Sequence, residues 1–121
     1  MPDLRITQGE KSGIVEVKGH QRRQTNRKEV LQLLGYQPDT KIKEKGIVVS
    51  NHEFEKKPSE RSKKAFTDGA IELGLNNDIS LVSSVNLYEV VIKIIEKNLD
   101  NAEMQKIRDK IMSESGLVWL D

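Results

Sequence analysis

Cysteine is absent from the 121-residue chain, which excludes disulfides and thiolate metal sites. Aromatic residues are scarce. Tyr36, Phe54, Phe66, Tyr88 and Trp119 are too few and too scattered to form a stacking platform along single-stranded nucleic acid. No apolar run approaches the roughly 18–20 residues that span a bilayer, and Met1-Pro2-Asp3 opens no signal-peptide pattern. A cytoplasmic protein without membrane contact is the expectation. An excess of one charge is lacking too. Charged residues make up 32% of the chain, yet the formal net charge is +1, which points neither to disorder nor to a protein that coats DNA by bulk charge. The length suits one domain over residues 1–121, with no internal repeat or low-complexity segment.

What is present is an alternation of short β-branched runs with amphipathic stretches. Leu4-Arg5-Ile6-Thr7 alternates, with Asp3, Arg5 and Thr7 on one face. The polar residues 8–12, with Gly9, predict a hairpin loop, and residues 14–18 return as an antiparallel strand. Asn26 followed by Glu29 predicts a capped helix with Val30, Leu31, Leu33 and Leu34 as its apolar face and Gly35 as its stop. Gly46-Ile47-Val48-Val49-Ser50 predicts a strand buried on both faces, and the charged residues 51–64 predict a mobile surface loop. Thr67 predicts the cap of a helix running to about Leu73, with Phe66 and Ile71 as its staple and Gly74 as its end.

Ile79-Ser80-Leu81-Val82-Ser83 predicts a further strand. Asn86 with Glu89 opens a helix whose Leu87, Val90, Val91, Ile94 and Ile95 face the core. Asp100 or Asn101 starts a last helix. Its Met104, Ile107 and Ile111 stripe, with Trp119, reads as core cover or as a homodimer surface. Residues 116–120 are an edge strand or a contact surface. This order predicts an α/β fold with a mixed central sheet flanked by helices. A chain that opens on a central strand is also expected to be part of a larger protein, the helix or partner domain before it lying elsewhere.

The chemistry concentrates at Glu16-Val17-Lys18. Side chains alternate along a strand, so Glu16 and Lys18 share a face with Ile14. The hairpin brings Asp3 to the same end of the sheet. Two close carboxylates repel, and a divalent cation with oxygen preference such as Mg²⁺ relieves that repulsion. Lys18 beside them suits the orientation of a water or the neutralisation of phosphate.

Pro2-Asp3 followed by Glu16-Val17-Lys18 resembles the PD-(D/E)xK motif of the restriction-endonuclease-like nuclease superfamily. Gln32-Leu33-Leu34-Gly35-Tyr36 is similar to the QxxxY motif of one branch of it, and the later elements resemble nuclease-like domains appended to larger proteins. The resemblance implies a restriction-endonuclease-like fold and hydrolysis of DNA phosphodiester bonds with Mg²⁺ or Mn²⁺. It implies that Asp3, Glu16 and the Val17 carbonyl hold the metal and that Lys18 assists the water. Gln32 and Tyr36 would then steady the metal site or the nucleic-acid backbone. The family's usual helix before the first motif strand has no counterpart here. The alternative is a catalytically silent module of the same fold, serving nucleic-acid binding or assembly.

Arg5 on the Asp3 face, and the run His20, Arg22, Arg23, Arg27 and Lys28 after the motif strand, are the candidates for phosphate contact. Cations at a helix N-terminus oppose its dipole, so Arg27 and Lys28 are not there to stabilise the helix. His52 is expected in a surface turn, with a place at the sheet end of the site as the other reading.

Overall fold

A computed structural model of the chain describes residues 3–8, 11–34 and 44–120. The fold is α/β, with a five-stranded mixed sheet in the order β1-β2-β3-β4-β5 and four α-helices. Strand β1 (Leu4–Gln8) pairs antiparallel with β2 (Lys11–Gly19). Their pairing reaches Gln8 and Lys11, so both strands run into the segment expected as loop. Helix α1 (Arg27–Leu34) precedes β3 (Lys45–Asn51), which lies parallel to β2. Helix α2 (Asp68–Asn76) leads to β4 (Ile79–Ser83), parallel to β3. Helices α3 (Ser84–Lys97) and α4 (Asn101–Ser113) precede the two-residue β5 (Gly116–Leu117), parallel to β4.

Two apolar clusters lie on opposite faces of this sheet. Ile14, Val48, Ile79 and Leu81 pack with Val30 and Leu33 of α1 and with Phe66, Ala70 and Leu73 at α2. Val82, the residue after Leu81, packs instead with Val90, Val118 and Leu120, backed by Leu87, Ile94, Ile107 and Ile111. Consecutive strand residues point to opposite faces, so α1 and α2 cover one side, and α3 and α4 the other. Ile107 and Ile111 of α4 are therefore core cover. Val30 and Leu33 are wholly buried, each contributing roughly 1.5–3 kcal/mol from apolar burial.

The local signals at helix starts operate as expected in three cases. Asn26 Oδ1 accepts from Glu29 N, and Glu29 Oε1 accepts from Asn26 N, both at 3.1 Å. Thr67 accepts from Ala70 N, and Asp100 from Glu103 N. Helix α3 differs. Ser83 is its cap, accepting from Val85 N, while Asn86 is buried and holds the tail through Leu120, with two bonds of 2.7 Å.

Gly74 does not end α2 but lies inside it. A Cβ there would meet Ile79 O and the Leu81 side chain at 3.1 Å, so the glycine lets the helix pass close over β4. Leu31, Val91 and Ile95 are exposed rather than core-facing, at 43%, 43% and 71%. Each lies beside the narrow line of its helix that meets the sheet, represented by Val30 and Leu33 in α1 and by Val90 in α3.

The segment 51–64 is not a loose loop. Glu53 N donates to Arg23 O, Phe54 N to His20 O and Glu55 N to Gln21 O, so it runs hydrogen-bonded against residues 20–23. A 3₁₀ turn follows at Pro58–Glu60. The many charges that suggested mobility are partly consumed within the segment, as in the contact of Lys56 Nζ with Glu53 Oε1 at 2.9 Å. His52 lies in a turn at the end of β3, as expected, but its side chain is 1% exposed. Among the described residues no helix is long and apolar enough to cross a membrane.

Candidate functional site

The β1–β2 register brings the motif residues together. Leu4 faces Val15, and continuing that pairing one step sets Asp3 opposite Glu16. Val17 N donates to Asp3 Oδ2 at 2.8 Å, so the odd-numbered residues of β2 direct their N–H and C=O groups toward β1. Asp3 and Glu16 thus fall at a non-hydrogen-bonded position, where facing Cα atoms are typically about 4.5 Å apart and side chains lie closest. The Val17 carbonyl points to the same side, where β1 has run out. The register thus sets Asp3 and Glu16 side by side at the end of β1, next to Val17, whose own side chain is half exposed.

Glu16 is 7% exposed, and its Oε2 is buried with no hydrogen-bond partner. Its Oε1 lies 3.5 Å from Lys18 Nζ. Lys18 also donates to Gln32 Oε1 at 3.1 Å, which ties the motif strand to α1. Gln32 is on the helix surface next to the buried Leu33, and Lys28 lies one turn before it on the same side. Tyr36, the other residue of the helical motif, lies outside the described residues.

The other buried lysine and glutamate among the described residues, Lys45 and Glu53, have their partners. Lys45 Nζ contacts Asp78 Oδ1 at 2.6 Å and Glu114 O at 2.8 Å. Glu53, 3% exposed, accepts from Ser62 Oγ, from Ser62 N at 3.2 Å and from Lys56 Nζ at 2.9 Å. The Ser62 hydroxyl first, then Lys56, hold its pKa down to about 2. An unpaired buried carboxylate oxygen costs of order 1–3 kcal/mol or more. Glu16 Oε2 is such an oxygen, on the residue that the register sets opposite Asp3, and a bare carboxylate oxygen is the type of donor that a divalent cation takes. Among the described residues no cluster of three or more His, Cys, Asp or Glu side chains forms a metal-holding group.

Most of the expected phosphate-contacting residues are engaged by acids. Arg5 pairs with Glu44, and Arg22 with Glu55 at 2.8 Å. Glu29 gathers both His20, at 2.5 Å, and Arg23, at 2.8 Å, while serving in the cap of α1. Burial works to raise the Glu29 pKa. The Arg23 hydrogen bond, the Asn26 N–H and the charges of His20 and Arg23 outweigh it and hold the carboxyl below its usual range. Arg27 and Lys28 are exposed and in none of the ion pairs among the described residues.

One assembly carried no sequence signal. At the carboxyl ends of β3 and β4, a cavity of about 480 Å³ is lined by residues of the 51–64 segment, the start of α3 and Trp119. Its parts come from three distant stretches of chain, and neither periodicity nor motif spacing unites them. No protein-family model, no curated protein and no solved structure matches this chain.

Proposed function

We propose that the domain is a metal-dependent nuclease of the restriction-endonuclease-like kind, hydrolysing DNA phosphodiester bonds. One observation carries the reading. The buried Glu16 has an oxygen without a partner, faces Asp3 across the hairpin, and sits beside a lysine that α1 holds through Gln32. Asp3, Glu16 and the Val17 carbonyl would hold Mg²⁺ or Mn²⁺. When bound, the ion would offset the two carboxylates and supply Lewis-acid stabilisation and water activation for phosphoryl transfer.

The chain's own residues account for the rest. Gln32 fixes the Lys18 ammonium, so the charge stands ready where phosphate negative charge develops, without reorganisation. The hydrogen bond from Val17 N orients Asp3 and holds it at the strand end despite its exposure. Of the expected basic rim, Arg27 and Lys28, on the first turn of α1, are in no ion pair among the described residues and are available to the DNA backbone, with Lys28 on the Gln32 side.

A second reading keeps the same fold as a silent module for nucleic-acid binding or assembly in a larger protein. One observation favours it. The Lys18 ammonium already lies 3.5 Å from Glu16 Oε1 and compensates part of the carboxylate charge without any metal. Cleavage of duplex and single-stranded DNA with Mg²⁺ or Mn²⁺ separates the two. The nuclease reading predicts metal-dependent cutting that falls at least about a hundredfold in Glu16→Gln and in Lys18→Met. Cutting by Glu16→Gln at the wild-type rate would remove this site from the reaction. DNA binding without cutting, weakened by salt, would establish the silent module.

A further inference from the structure

We propose that the cavity at the carboxyl ends of β3 and β4 is a nucleotide site, taking a phosphate on Arg61 and Lys63 and a base against Trp119. Among the described residues its lining carries two cations, Arg61 and Lys63, and no carboxylate. A volume of about 480 Å³ lies in the range of small-ligand sites.

Arg61 is the strongest part of the argument. It is partly buried and, among the described residues, held by neutral acceptors: Nη1 donates to Asn51 Oδ1 at 2.9 Å, and Nε to Lys56 O at 3.1 Å. A guanidinium fixed in place with no carboxylate on it is oriented for an anion that arrives from outside, and its planar fork suits phosphate. Asn51 Oδ1 accepts also from Ser84 Oγ at 3.0 Å, which locks Arg61 to the first turn of α3. Lys63 is exposed and in none of the ion pairs among the described residues.

His52 adds an independent sign. It is 1% exposed, its Nε2 contacts Ser62 O at 2.7 Å, and its buried Nδ1 has no partner. Fully satisfied polar groups are the rule in protein interiors, and this exception lies in the lining of the cavity.

Trp119 supplies the apolar half. It is 51% exposed between Val118 and Leu120, each 1% exposed. The Asn86 carboxamide clamps the Leu120 backbone from both sides, so the indole is displayed on a fixed mount. Exposed aromatic faces stack bases with little dependence on sequence.

The site also has a place relative to Glu16 and Lys18. Lys18 is in register with Ser50, and Ser50 with Ser83, which lines the cavity. In-register neighbours share a face, and two strand spacings put Ser83 roughly 10 Å from Lys18. That span is about three nucleotides of a stacked strand at ~3.4 Å each. The claim that the nucleotide belongs to the strand being cut rests on the nuclease reading; the nucleotide site itself does not.

Trp119 is the chain's one tryptophan, so its fluorescence reports the cavity directly. The full chain carrying Glu16→Gln, in chelator and without metal, is titrated with thymidine 5′-monophosphate, thymidine, inorganic phosphate and 5′-phosphorylated hexathymidylate. Saturable quenching by the monophosphate but not by thymidine is expected, with affinity about tenfold weaker in Lys63→Gln, a surface change that spares the fold. Hexathymidylate that binds at least tenfold tighter than the monophosphate supports the strand as the source. Equal affinity of the two overturns the strand clause and assigns a free nucleotide. Equal quenching by thymidine and its monophosphate, no quenching at all, or an unchanged Lys63→Gln affinity overturns the site. Inorganic phosphate that binds as tightly as the monophosphate overturns the role of Trp119. The readout needs no cleavage, so these outcomes stand whatever the wild type does to DNA.

Discussion

Glu16, Lys45 and Glu53 are all nearly buried ionisable residues, yet they do different things. Lys45 is fastened to Asp78 and to the carbonyl of Glu114, tying the start of β3 to the α2–β4 turn and the end of α4. Glu53 is fastened to Ser62 and Lys56 and closes the 51–64 segment on itself. Glu16 keeps one buried oxygen bare. Local rules broken without compensation tend to mark function, and this break falls on the strand Glu16-Val17-Lys18. The contrast has a consequence for acid stability. The Glu53 carboxyl titrates near 2 in the folded chain against a reference of 4.5. A depressed folded-state pKa means that its contribution is complete above about 4.5 and is lost as pH falls toward about 2. Glu53→Gln should therefore lower the unfolding midpoint at neutral pH and flatten its dependence on pH in that acid window. A pH series of thermal melts checks it, and a slope identical to wild type would contradict the assignment.

At the scale of elements, what could be read along the chain was what short range decides. The Asn26–Glu29, Thr67–Ala70 and Asp100–Glu103 caps close over three residues, so their spacing is visible without a structure. Asn86 looked like another cap, but its partner Leu120 lies 34 residues on, and Ser83 had already capped the helix. Gly74 looked like a stop because helix propensity and close packing leave the same mark in a sequence. Two glycines of α2 separate these effects. Alanine is favoured over glycine in a helix by about 1 kcal/mol, while overpacking against rigid neighbours costs roughly 1–3 kcal/mol. At Gly74 the new Cβ would meet a backbone oxygen at 3.1 Å, and at Gly69 only the Arg27 side chain at 3.5 Å. Gly74→Ala should thus destabilise by roughly 1 kcal/mol, and Gly69→Ala should stabilise by about 0.5–1 kcal/mol. Chemical denaturation of both variants measures the difference, and an equal effect at the two positions would refute the packing account.

For the whole molecule, the motif strand, the hairpin and the strand–helix alternation were legible because each has its own period. Which cations stay free was not. Arg5, Arg22 and Arg23 meet Glu44, Glu55 and Glu29 through folding, and only Arg27 and Lys28 of the expected rim emerge without such a partner among the described residues. The cavity beside Trp119 was invisible for the same reason, since β3, β4 and the tail meet only in the sheet. The central claim, that Asp3, Glu16 and the Val17 carbonyl form a divalent-cation site, is most directly tested by titrating Mn²⁺ into the protein and following thermal unfolding. Metal that binds only the folded chain must stabilise it. At a hundred times the dissociation constant the gain is about 2.7 kcal/mol, or roughly 8–10 °C for a domain of this size. The account predicts that rise in wild type and in Glu53→Gln and its loss in Glu16→Gln; the same rise in all three proteins would contradict it.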